Sequence, residues 1–93
     1  MLKRELIAAL AKRHKELKIK DVDLMARLVF ETMAEALIQG RGIELRGFGS
    51  FHLRRYAPRA ARNPGSGQKV FLGYRRGVLF RAARTLRERL KAR

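Results

Sequence analysis

Residues 43–54 read Ile-Glu-Leu-Arg-Gly-Phe-Gly-Ser-Phe-His-Leu-Arg, and the period of that stretch decides the fold. Ile43 and Leu45 alternate with Glu44 and Arg46. Beyond Gly47-Phe48-Gly49, Phe51 and Leu53 alternate with Ser50, His52 and Arg54. Apolar residues at every second position mark strands with one covered face, and glycines between two such runs mark the turn that joins them. The stretch is a β-hairpin.

Toward the N-terminus the period becomes 3.6. Val22, Met25, Leu28, Val29, Met33, Ala36 and Leu37 recur at helical spacing, as do Leu2, Leu6, Ile7, Leu10 and Ala11 before them. Periodicity lapses between His14 and Lys20, so the two runs are separate amphipathic helices. Gly40 and Gly42 bracket Arg41 and stop the second helix, at a place where positive φ is expected. Toward the C-terminus, residues 55–68 read RYAPRAARNPGSGQ, with Arg55, Arg59 and Arg62, both prolines of the chain, two glycines and no acid. Nothing in that segment can form a core. Val70, Phe71 and Leu72 restore strand character, so the segment is the tip of a long ribbon. Val78, Leu79, Phe80, Ala83, Leu86 and Leu90 describe a strand end running into a short helix flanked by Arg81, Arg84, Arg87 and Arg89.

The resulting class is α+β: two N-terminal helices, an antiparallel β-sheet with a long β-ribbon arm, and a short C-terminal helix. One domain is expected, with a helical base at 1–40, a sheet at 41–80 carrying an arm at 55–74, and the last helix at 81–93. A chain of 93 residues buries only about 60–65% of its unfolded surface. With no cysteine to staple it, dimerisation is the expected remedy. Zero Cys also excludes a disulfide framework and thiolate metal ligands. His14 and His52, the only histidines, lie on different elements and read as solvated or packed residues; no metal or other cofactor is expected. Charges interrupt the apolar residues of the N-terminus, so no signal peptide is read there, and no apolar run approaches the ~20 residues of a membrane span. A soluble, cytoplasmic protein is expected.

Charge is distributed unequally. Residues 1–40 hold eight Lys and Arg against six Asp and Glu, whereas residues 41–93 hold fifteen against two. Like charge at this density opposes compaction, and solubility requires a net charge of only about 2–8 in a small domain. A polyanionic partner explains the excess better than a solvated surface does. The only acids of the basic half are Glu44 and Glu88. No carboxylate pair, Ser/His/Asp set or strand-to-helix phosphate loop is recognisable, so an enzyme is not expected. An arginine-rich ribbon can follow a phosphate backbone and reach into a narrow minor groove, where a rigid proline ring can act as a wedge. The plainer reading is a disordered basic loop, against which the stiffening Pro58 and Pro64 argue.

IELRGFGSF at 43–51, APRAARNPGSGQKV at 57–70 and FRAARTLRERL at 80–90 resemble the corresponding segments of the bacterial HU and integration host factor family of DNA-bending proteins. The Arg62-Asn63-Pro64 tip, at this distance from a GFGSF turn, is the most specific part of the likeness, which spans nearly the whole chain. The resemblance implies an intertwined homodimer or heterodimer in which paired arms embrace double-stranded DNA through the minor groove, in the nucleoid. It places Phe48, Phe51 and Phe80 in a shared dimer core and makes Pro64 the intercalating residue. The arm and its base supply Arg54, Arg55, Arg59, Arg62, Asn63, Lys69, Arg75 and Arg76 as DNA contacts. Lys3 of the first helix and Arg81, Arg84 and Arg87 near the last complete the basic set.

Glu44 with Arg46 is more similar to the beta subunit of integration host factor than to HU, and the likeness implies an alpha-type partner and a buttressed arginine that senses groove shape. The plainer reading is a surface ion pair, worth about 0–1 kcal/mol. The chain departs from the family pattern at Ala61, at Ala82-Ala83 and at Gly77, where glycine, a small-Gly pair and a nearby proline are usual. An RNA-binding protein would need stacking aromatics on its sheet, for which Tyr56 and Tyr74 are few. A membrane-surface protein would need one long apolar-faced helix.

Overall fold

The computed structural model describes residues 1–92. The chain divides into two compact units, the first Met1–Glu35 and the second from Ala36 onward. In the first, α1 (Lys3–Arg13) is followed by α2 (Ile19–Ile38), whose last residues belong to the second unit. The Leu2 amide donates to Glu5 Oε2 at 3.3 Å and the Leu2 carbonyl accepts from the Glu5 and Leu6 amides, which satisfies groups the first turn of α1 leaves open. Lys12 and Arg13 in its last turn face the negative end of the helix dipole. Ile7, Val22 and Ala26 are the buried core, with Leu10 and Ala11 packed against them. The other apolar stripe of α2, formed by Leu24, Met25, Leu28, Val29 and Phe30, stays 40% to 55% exposed.

α2 ends as expected. Gly40 takes φ +82°, its amide donates to the Leu37 carbonyl at 3.0 Å, and the Arg41 amide donates to the Ala36 carbonyl at 2.9 Å. That paired closure satisfies two carbonyls that a helix end would leave open. The second unit then contains β1 (Ile43–Leu45), β2 (Gly49–Tyr56), β3 (Arg59–Arg62), β4 (Lys69–Leu72), β5 (Arg75–Ala82) and α3 (Arg84–Lys91). Strands β1, β2 and β5 form one antiparallel sheet in that order, and β3 pairs with β4 in a second sheet of two strands. In the β1–β2 turn the Phe48 amide donates to the Leu45 carbonyl at 2.9 Å, and Gly47 takes φ +81°. A side chain resists that backbone, whereas glycine accepts it.

Directly paired residues share a face of a sheet. Ile43, Leu45, Phe51, Leu53, Val78 and Phe80 therefore share one face of the larger sheet, since Phe51 pairs with both Ile43 and Phe80 and Leu53 pairs with Val78. The Phe80 ring centroid stands 5.5 Å from that of Phe48 and 4.9 Å from that of Phe51, with the planes tilted by 52° and 50°. Gly49 is buried opposite Ala82, where a Cβ would come within 2.6 Å of the Phe80 ring and of the Arg81 carbonyl.

Two boundaries differ from expectation. The last helix begins at Arg84 rather than at residue 81, because Arg81 and Ala82 continue β5 against Ser50 and Gly49 and the Ala83 amide is held by the Phe48 carbonyl at 2.8 Å. The expected helix end at Arg93 lies outside the described residues. The arm begins later than residue 55, since the β2–β5 ladder runs on to Tyr56 paired with Arg75 and stops where Ala57-Pro58 and Gly73-Tyr74 interrupt pairing. Proline there has no amide to contribute to a ladder.

Candidate nucleic-acid interface

The opposite face of the larger sheet carries Glu44 of β1, Ser50, His52, Arg54 and Tyr56 of β2, and Arg75, Gly77, Leu79 and Arg81 of β5. Three arginines on this face outnumber its one acid. Next to it, Glu44, Arg46, Ser50, Arg81, Arg84 and Arg87 line an open cleft of about 310 Å³ between the β1–β2 turn and the start of α3. Four cations converge there. Among the described residues no ion pair joins Glu44 to Arg46, which lie two positions apart along one strand end rather than across two strands. Arg84 Nε, in contrast, meets Glu88 Oε1 at 2.9 Å.

The arm supplies the second part. Arg59 pairs with Leu72, Ala60 with Phe71, Ala61 with Val70 and Arg62 with Lys69. Arg62 and Lys69 therefore share one face with Phe71, which is 74% exposed, while Arg59 lies on the other. Ala61, where glycine is usual, is half-buried and holds its place in the ladder. At the tip, the Asn63 amide donates to the Gln68 carbonyl at 2.8 Å, the Gly67 amide donates to the Asn63 carbonyl at 2.7 Å, and the Gly65 amide donates to Asn63 Oδ1 at 2.8 Å. Asn63 thus wraps the turn around Pro64, whose ring is exposed.

The remaining expected residues are placed elsewhere. Arg55 pairs with Arg76 on the apolar side of the sheet, away from Arg54 and Arg75. Arg76 Nη1 reaches the Ile38 carbonyl at the end of α2, at a long 3.5 Å. Lys3 is exposed in the first turn of α1, in the other unit. His14 stands 3.4 Å from Glu16, and among the described residues no cluster of three or more His, Asp or Glu could hold a metal ion. The sequence reading missed Tyr56 as a site residue. Its ring lies 5.7 Å from the Arg54 guanidinium carbon and 5.4 Å from that of Arg75. Counting by twos from Phe51 would have put Arg54 and Tyr56 on the polar face and Arg55 on the apolar one.

Helices, a sheet whose polar face carries three arginines and a proline-tipped ribbon define a β-ribbon protein built to meet a nucleic-acid backbone. The model of the bacterial DNA-binding protein family matches residues 1–91, and the chain belongs to that family. It is 47% identical over 90 residues to the integration host factor subunit beta of Nitrosospira multiformis, covering 97% of this chain and 96% of that one. The same identity and coverage hold for the integration host factor subunit beta of Dechloromonas aromatica. Among solved structures, Anabaena HU in a cocrystal with DNA superposes with a TM-score of 0.86 at 33% identity, covering 97% of both chains. An HU mutant from Thermotoga maritima gives 0.69 at 31% identity over 97% of this chain and 99% of that one.

Proposed function

We propose that this chain is an architectural subunit that binds the minor groove of double-stranded DNA and bends the duplex by inserting Pro64 between base pairs. The observation that carries the reading is the arm tip: a rigid apolar ring at the apex of a turn in which Asn63 accepts two hydrogen bonds and donates one, beyond strands bearing Arg59, Arg62 and Lys69. Opening a base step costs a few kcal/mol, which backbone contacts made by the bent duplex offset. The three sheet-face arginines and the Arg46–Arg81–Arg84–Arg87 cleft supply those contacts. The work is binding and deformation, with no reaction to catalyse, in nucleoid organisation and as an accessory to recombination, replication and transcription. No helix among the described residues is long and apolar enough to cross a membrane.

The subunit acts as an intertwined dimer. Leu24, Met25, Leu28, Val29 and Phe30 of α2 stay exposed, and Phe48 and Phe80 are still 49% and 41% open. The apolar stripe of α2 and the phenylalanine cluster are the surfaces a second subunit covers. Likeness to beta subunits of integration host factor favours an alpha-type partner, whereas likeness to HU favours a second copy. The test is a duplex of about 35 base pairs labelled at both ends, long enough for a wrapped site. Energy transfer should rise on binding while native mass spectrometry reports two subunits per duplex. A duplex that stays straight under saturating protein refutes bending, and a single bound subunit refutes the dimer.

A further inference from the structure

Tyr56 stands in the last paired row before the arm departs, opposite Arg75 and two residues from Arg54 on the same face. Its ring is uncharged and 41% exposed, yet both guanidinium groups lie within 6 Å of its centre, at 5.7 and 5.4 Å. That is the range in which an aromatic face attracts a cation. Gly77, which pairs with Arg54, makes the arrangement possible. A Cβ at residue 77 would stand 3.1 Å from Tyr56 Cε2, so the ring occupies the space a side chain there would take. The ring leans across the strand over the glycine, which brings it to Arg54 without leaving Arg75.

Two guanidinium groups gathered at one ring repel one another, and long exposed side chains lose rotamer freedom when they are fixed. An aromatic ring within reach of the two offsets both effects. It attracts each planar cation and leaves the N–H forks free for an acceptor. The phenol hydroxyl adds a neutral donor beside these charged ones. Together these groups suit a tetrahedral monoanion with several acceptor oxygens, which is the chemistry of a phosphodiester.

We propose that Arg54, Tyr56 and Arg75, seated over Gly77, form a single clamp for two adjacent phosphates of the duplex backbone at the foot of the arm, with Tyr56 as the positioning residue. The clamp rests on the duplex-binding reading above and adds to it the place where the arm is anchored. It makes an uncharged residue control a charge-dependent quantity. Each phosphate neutralised contributes about 0.9 to the slope of log affinity against log salt. Unseating two arginines therefore lowers the slope by about 1.8 per subunit, although the net charge of the protein is unchanged.

The experiment measures that slope for the wild-type dimer and four variants on one duplex by fluorescence anisotropy. Tyr56→Phe keeps the ring and should keep the slope, with only a small loss of affinity. Tyr56→Leu should lower the slope by about 1.8 per subunit, as should Arg54→Gln combined with Arg75→Gln. Adding Tyr56→Leu to that double variant should lower it no further. Circular dichroism and dimer mass on every variant separate this effect from unfolding. If folded, dimeric Tyr56→Leu loses affinity uniformly at all salt concentrations with an unchanged slope, the ring is a plain contact and the clamp is overturned. A wild-type slope near zero would instead overturn the duplex-binding reading.

Discussion

The Asn63 side chain accepts the Gly65 amide at 2.8 Å, so the residue before Pro64 fastens the residue after it. The proline ring is thereby presented outward on a closed turn, and the same link explains why an amide side chain stands there. An apolar side chain at residue 63 has no oxygen to offer that amide.

Pro64→Ala keeps the charge and the turn but removes most of the wedge. Losing the ring's burial between bases costs about 1.5 kcal/mol, roughly tenfold in complex lifetime. End-to-end energy transfer should fall along with lifetime. A variant that bends the duplex as sharply as wild type rules out intercalation and leaves the arms as electrostatic clamps.

Phe80→Ala distinguishes a lone chain from a dimer. A phenylalanine fully covered by a partner costs about 3–5 kcal/mol to truncate, and one that stays 41% exposed costs well under that. The midpoint of wild-type unfolding should rise with protein concentration, and the variant should sediment as monomer. A concentration-independent midpoint would argue that the exposed phenylalanines need no partner.

Gly49→Ala tests the close approach of β2 to β5. Its new methyl would meet the Phe80 ring and the Arg81 carbonyl at 2.6 Å, an overpacking that costs about 1–3 kcal/mol. For a domain of this size the Tm should fall by at least about 4 °C, and α3, tied to Phe48 through Ala83, should loosen with it. An unaltered Tm would mean that the strands separate more easily than the packing implies.

Arg46→Ala should reduce discrimination between a preferred site and random duplex by about tenfold while changing random binding little, because an arginine that reads groove shape contributes more than bulk charge. Glu44→Ala should act in the same direction. Among the described residues no ion pair joins Glu44 to Arg46, so the two should become coupled only on the duplex. A double-mutant cycle without DNA should show no coupling. Equal losses on both duplexes would reduce the pair to generic electrostatics.

The sequence carries much of this architecture because its signals are local. Gly40 halts a 3.6-residue period, Gly47 closes a hairpin between period-two runs, and Asn63-Pro64 caps a segment that has no core residues. Where the α3 boundary was misplaced, the deciding contacts are distant: Ala82 and Ala83 suit helix or strand equally, and Gly49 and Phe48 hold them in the extended form. Parity decides the face of Arg54 against Arg55 and was readable from Phe51. The seat of Tyr56 over Gly77 was not, because it depends on which residue of a strand some twenty positions away lies beside it, and a glycine there reads from the sequence only as a break.

The interruption at Ala57-Pro58 and Gly73-Tyr74 has a thermodynamic consequence. It leaves β3 and β4 with four paired positions and no third strand, and a two-stranded hairpin is marginal in water by itself. Its amides should exchange with solvent long before those of β2 and β5, as a separate cooperative unit. Duplex binding then has to supply the order the hairpin lacks. Part of the gross interaction free energy goes into that ordering, so association should carry a favourable enthalpy opposed by an unfavourable entropy, with a negative heat-capacity change. The arm is thus the part of the molecule that DNA finishes folding.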